Sequence, residues 1–218
     1  MSNNSEQNIS TRPVIAFDFD DTLWPLVPHL VHYYQQHHDP NFTQKEFSEY
    51  NYAHGFKCSH EEANKIFAQF SQSKIWHDSH DQYEPTEECK LLIADLAKTC
   101  DLYVVTAREP RFESITWDFL NSKFGQGTFK GVLFGNHFGD STQHKPRSKA
   151  EMCQSIGAKL LIDDNHRYIA EVTQAGIHGI LFGNYPWTKI PLTKNKHLIH
   201  YASCWKSAGN IINKIISL

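Results

Sequence analysis

The segment Val14-Ile-Ala-Phe17, followed at once by Asp18-Phe-Asp20, constrains this chain more than any other stretch of its 218 residues. Four apolar residues, rich in β-prone types, read as a buried strand. A buried strand that ends in acids is a costly arrangement. Asp18 and Asp20 are two residues apart, so in extended backbone they face the same way, about 6–7 Å from one another. Like charges at the mouth of a sheet repel, and desolvation adds to the penalty. Such a pair calls for a cation.

From Pro85 onward helix and strand alternate. Residues 87–99 carry helical apolar spacing, 102–106 read as a strand, and Phe112, Ile115, Phe119 and Leu120 recur at helical intervals. Strand 131–134, helix 149–156 and strand 160–162 follow, the last running into Asp163-Asp164. Helix 167–175 is stopped by Gly176, strand 180–182 comes next, and Trp205, Ala208, Ile212, Ile215 and Ile216 mark one face of a terminal helix. Strands joined by helices imply right-handed crossovers, hence an α/β fold with a doubly wound, Rossmann-like parallel sheet. Residues 26–84 break the alternation: rich in His, Gln, Asn, Tyr and Phe, they read as a small helical cap inserted after the first strand. Thr43 with Glu46, and Ser59 with Glu62, have the spacing of helix N-caps there. The expected organisation is a flexible tail at 1–12, a core of 13–25 and 85–218, and the cap at 26–84.

In sheets of this kind ligands bind at the carboxyl ends of the strands. Asp18 and Asp20, Thr106, and Asp163 with Asp164 all fall at such ends. Carboxylates with no Cys or His among them are hard oxygen donors and favour Mg²⁺ over zinc. Thr106 offers a hydroxyl and neighbouring backbone N–H groups to an anion, with Ala107 and Arg108 beside it. Lys149 offers a cation near the same edge; Lys145, before Pro146, is an alternative. Trp24 and the aromatic residues Tyr33, Tyr50, Tyr52, Phe56 and Trp76 are candidates to stack on a substrate ring, although an inserted helical unit also needs rings for its own core. A carboxylate nucleophile, a second carboxyl, a hydroxyl, a lysine and a metal suffice for phosphoryl transfer.

Composition narrows the classes. The chain is 40% hydrophobic and 21% charged with a formal charge of −3, which disfavours nucleic-acid polymers and anionic lipid as partners. No apolar run approaches the roughly 18 residues that span a bilayer. Five cysteines without a Cys-x-x-Cys pair indicate neither a disulfide framework nor a zinc motif, and a cytoplasmic location is expected.

Ile15-Ala-Phe-Asp-Phe-Asp-Asp-Thr-Leu23, Val104-Val-Thr106, Lys149 and Leu161-Ile-Asp-Asp164 resemble the four ordered motifs of the haloacid dehalogenase superfamily of phosphohydrolases. The resemblance covers residues 14–24 and most of 85–185. It implies that Asp18 attacks phosphorus to give an aspartyl-phosphate and that Asp20 protonates the leaving oxygen and then activates water. Thr106 and Lys149 would hold the phosphoryl oxygens. Mg²⁺ would be bound by Asp18, the backbone carbonyl of Asp20 and Asp163, with Asp164 close by. Ser148-Lys149-Ala-Glu, Ile162-Asp-Asp-Asn165 and Pro186-Trp187 are similar to 5′(3′)-deoxyribonucleotidase-like proteins, although Thr188 stands where those often have Asn. The expectation is a phosphatase for a small phosphorylated metabolite, first a (deoxy)nucleoside monophosphate. A sugar phosphate or another small ester is the alternative, as is a non-catalytic phosphate- or Mg²⁺-binding protein.

Overall fold

The computed structural model describes residues 12–139, 142 and 144–217. Six parallel strands form one sheet: β1 (Val14–Phe17), β2 (Asp101–Thr106), β3 (Phe129–Phe134), β4 (Ala158–Asp163), β5 (His178–Phe182) and β6 (Ile199–Ala202). Their order is β3-β2-β1-β4-β5-β6, so the chain reverses its direction of winding between β1 and β4. That reversal opens a crevice at the carboxyl ends of the two central strands.

Strand alternation sorts side chains onto two faces. Ile15, Phe17, Leu102, Val104, Leu160 and Ile162 join the larger core, with α5 (Glu87–Thr99), α6 (Glu113–Phe124) and α9 (Trp205–Ile216). Ala16, Val105 and Leu161 point the other way, against α7 (Lys149–Ser155) and α8 (His166–Gln174). Between β1 and α5 stand α1 (Leu26–His37), α2 (Tyr52–Phe56), α3 (His60–Gln72) and α4 (Lys74–Gln82). Their buried residues, among them Leu30, Tyr33, Phe56, Phe70 and Trp76, merge with the larger core.

Three sequence expectations change. Ser59 caps α3, accepting from the Glu62 backbone N–H at 3.2 Å. Thr43, by contrast, precedes only a three-residue 3₁₀ turn and makes no cap bond. Phe42 and Phe47 are both buried with rings 5.5 Å apart. Residues five apart in an α-helix point about 140° from one another, so burying both in one cluster excludes a helix. Strand β6 was not expected; it closes one edge, with His200 and Tyr201 partly or largely exposed. Arg12, placed in the expected tail, donates to the carbonyls of Ala97 and Cys100 at 2.6 and 2.7 Å; residues 1–11 lie outside the described residues.

Helix α8 sits close on β5 because Gly179 lacks a side chain: a Cβ there would meet Ile169 Cγ2 at 2.8 Å. Gly179→Ala should therefore overpack this contact and cost about 1–3 kcal/mol, read as a lower urea midpoint at unchanged m-value.

Candidate active site

At the carboxyl end of β1 the chain extends its pairing with β4 by one bond, from Asp18 N–H to the Ile162 carbonyl at 2.8 Å. Residues 19–24 then turn sharply, with Asp21 in the left-handed region at φ 56°. Its carboxylate Oδ1 accepts from the Val27 N–H at 3.0 Å and the Tyr185 hydroxyl at 2.9 Å, tying the turn to the first turn of α1. Burial pushes the Asp21 carboxyl up to about 7.

Lys149 is the centre of the site. Ser148 and Glu151 form a capping box that starts α7 and sets Lys149 in its first turn. A cation is poorly placed at a helix N-terminus. The position is explained by the partners: Nζ lies 2.7 Å from Asp18 Oδ1 and 2.5 Å from Asp163 Oδ2, with all three side chains almost wholly buried. Burial alone would pull the lysine's pKa down, but the carboxylates of Asp163 and Asp18 more than reverse this and raise it. Tyr168 covers the ammonium, its ring centroid 4.3 Å from Nζ. His137 Nε2 lies 2.7 Å from the Arg147 carbonyl, so it carries the proton, and Nδ1 accepts from the Tyr168 hydroxyl at 2.9 Å.

Asp163 Oδ1 accepts from the Asn165 N–H at 2.8 Å, and Asn165 in turn caps α8. Asp164 Oδ2 accepts from Trp187 Nε1 at 2.6 Å, whereas its Oδ1 is buried without a partner. Desolvation raises the pKa values of Asp18, Asp163 and Asp164. Each of these three residues presents an oxygen within 4.8 Å of the others. Three carboxylates against one ammonium leave two negative charges in excess. An orphaned buried oxygen and uncompensated charge on an all-oxygen donor set suit a hard divalent cation.

The structure brings Asp18, Lys149, Asp163 and Asp164 together and sets Asp20 beside them. Lys145 is exposed, so Lys149 is the lysine of this cluster. Thr106 is fully buried at the end of β2, where its Oγ1 accepts from the Arg108 N–H at 3.2 Å. Ala107 and Arg108 line a cavity of about 530 Å³ that also touches Asp20. The Arg108 guanidinium, a candidate for substrate contact, grips Asp20, with Nε 2.9 Å from Oδ2 and Nη2 2.8 Å from Oδ1. Trp24 is corrected outright. It is wholly buried, stacked on His80 with centroids 4.0 Å apart, donates to the Ser79 carbonyl at 3.3 Å, and does not line the cavity. Of the five aromatic residues considered, Tyr50 and Tyr52 line the cavity, while Tyr33, Phe56 and Trp76 do not.

Sequence reasoning missed His80, Tyr168, Asp21 and Tyr185. His80, Tyr168 and Tyr185 belong to no motif, because each acts by reaching across from another element; Asp21 lies inside the first motif, but its partners Val27 and Tyr185 do not. His80 Nδ1 lies 2.8 Å from the Trp76 carbonyl and so bears the proton, leaving Nε2 to accept from Arg108 Nη2 at 3.1 Å.

No family model matches the chain. A nucleotidase of Clostridium acetobutylicum is 20% identical over 201 residues, which are 92% of this chain and 94% of that protein. Among solved structures, a haloacid dehalogenase-like hydrolase from Streptococcus pneumoniae superposes with a TM-score of 0.62 at 15% identity, covering 92% of this chain and 98% of that one. A predicted phosphoglycolate phosphatase from Haemophilus somnus gives 0.62 at 16% identity, with 94% and 99% covered. This chain has the fold of the haloacid dehalogenase-like hydrolases, with the α/β core expected from its sequence. Its structural neighbours are hydrolases and phosphatases.

Burial and the neighbouring Arg108 push the His80 pKa down to about 2. With an unfolded value near 6.5, this neutral histidine contributes stability that is complete above pH 6.5 and is lost as pH falls below it. Wild type should lose up to about 1.4 kcal/mol more per pH unit than His80→Phe between pH 6.5 and 4.5, measured by urea unfolding.

Proposed function

We propose that this protein is a Mg²⁺-dependent phosphomonoesterase that works through an aspartyl-phosphate on Asp18, with a (deoxy)nucleoside monophosphate as substrate. The observation that carries the reading is the buried cluster of Lys149 with Asp18, Asp163 and Asp164 at the central strand ends. Asp18 attacks phosphorus through its carboxylate, and the bond to the leaving oxygen breaks as the bond to Asp18 forms. Asp20 gives the leaving oxygen a proton and later takes one from the water that attacks the phosphoenzyme, releasing phosphate and restoring Asp18. Lys149 and the Thr106 hydroxyl hold phosphoryl oxygens, and Ala107 lies beside them. Mg²⁺, held by Asp18, the Asp20 carbonyl, Asp163 and Asp164, would supply charge neutralisation at the phosphoryl group.

The helices between residues 26 and 82 act as a cap, since the cavity is bounded on one side by Tyr52, Ala63 and Phe67 and on the other by Arg108 and Asn165. Closing it excludes bulk water and strengthens the charge interactions inside. Tyr52, Phe67 and Phe112 give the cavity rings on which a base can stack, and Asn51 and Asn64 give amides for a base edge. The likeness to the clostridial nucleotidase supports the same substrate class. The partner is thus a small phosphorylated metabolite; among the described residues no helix is long and apolar enough to cross a membrane.

Phosphate release from a panel of nucleoside monophosphates, sugar phosphates and phosphoglycolate tests this reading. The expected result is release from nucleotides in clear preference, abolished by chelation and restored by Mg²⁺. Asp18→Asn should lose about three orders of magnitude or more in kcat while keeping its fold. Preference for another ester would refute the nucleotide assignment. A folded, Mg²⁺-bound protein inert on the whole panel would refute the enzyme and favour a binding protein.

A further inference from the structure

We propose that Arg108 is a positioning residue that holds Asp20 in its working orientation, and that His80 on α4 completes the clamp. The inference rests on the phosphomonoesterase reading and deepens it. Arg108 is among the least exposed charged groups of the molecule, with a side chain 4% exposed. Its guanidinium carbon lies 4.2 Å from the Phe19 ring centroid, 4.9 Å from Trp76 and 5.2 Å from Trp24, so it sits in a box of aromatic rings. Each nitrogen is engaged. Nε and Nη2 fork onto Asp20, Nη2 also donates to His80 Nε2, and Nη1 donates to Thr116 Oγ1 at 3.1 Å. Thr116 is fixed in turn, donating to the Phe112 carbonyl at 2.7 Å.

Four of the five N–H donors are committed in this way, so the guanidinium has no second fork to offer a substrate phosphate. A forked pair constrains both the direction and the plane of the carboxylate, which a single ammonium contact would not. The anchor spans two units: Arg108 follows β2, whereas His80 and Trp76 belong to α4. The orientation of Asp20 thus depends on how the cap helices pack on the sheet. His80 is the connecting group, because it accepts from Arg108 while donating to the Trp76 carbonyl.

If Arg108 acts through Asp20, its removal weakens proton delivery to the leaving oxygen and little else. The test compares wild type, Arg108→Gln, Arg108→Lys and His80→Phe on phosphate esters graded from dinitrophenyl through phenyl to alkyl leaving groups. For Arg108→Gln, kcat should fall about 100-fold on alkyl and phenyl esters but no more than about 5-fold on dinitrophenyl phosphate, with KM little changed. Arg108→Lys should recover part of the loss. His80→Phe, which keeps a ring against Trp24, should show a smaller loss of the same shape. In an Asp20→Asn background, Arg108→Gln should add less than about threefold. A loss equal across the esters, a rise in KM, or full additivity with Asp20→Asn would overturn the proposal. A wild type inert on every ester would refute the phosphatase reading instead. In that event crystal structures decide the proposal: Asp20 should turn away or split in Arg108→Gln, and an unmoved Asp20 overturns it.

Discussion

The buried ion cluster of Lys149 with Asp18 and Asp163 is the interaction on which the rest of this structure depends. Three charged side chains almost without solvent are tolerable only in combination, because removing one leaves the others uncompensated in a low-dielectric interior. The fold delivers them from three elements. The strand end of β1 presents Asp18, that of β4 presents Asp163, and the capping box of α7 sets Lys149 at a helix start where only such partners make a cation favourable. The cluster still carries excess negative charge once Asp164 is counted, and an Asp164 oxygen lacks a partner. Sheet order, capping and electrostatics therefore converge on a donor set at the crevice between β1 and β4 that suits a hard cation.

Around this centre lies a shell of supports that hold rather than react. Tyr168 roofs the lysine and is held by His137; Trp187 fixes Asp164; Tyr185 and the N-terminus of α1 fix Asp21. Arg108, in its aromatic box, fixes Asp20. Such supports keep a constellation within the narrow tolerance that chemistry demands. They also divide the labour between units: α7, α8 and the strand ends organise the ions, whereas α4 joins Arg108 in organising the second carboxyl.

The parts legible in the sequence are those governed by local pattern. Strands β1, β2 and β4 are buried on both faces, so they read as short apolar runs, and their polar ends mark the crevice. The sheet class follows from the alternation of such runs with helical spacing. Strand β6 escapes because Ile199-His-Tyr-Ala202 is an edge strand with mixed polarity, and nothing local separates it from a loop. Thr43 misleads because a capping pattern sits between two phenylalanines that the core claims first. Tyr50 and Tyr52 cannot be told from Tyr33 by composition, since only the packing of the helices decides which rings meet the cavity. Trp24 follows the acidic turn closely, yet that turn swings it under His80 and away from the site. His80 and Tyr168 are invisible for the same reason: their partners are far away in sequence and close only in the fold.

If the buried cluster works as proposed, Asp18 becomes covalently phosphorylated during turnover. Acid quenching during turnover, reduction with borohydride and peptide mass analysis test it directly, because an acyl phosphate on aspartate is reduced to homoserine. Homoserine should appear at position 18 only when substrate and Mg²⁺ are both present. Turnover without homoserine at that position, or with the label on another carboxylate, would contradict it.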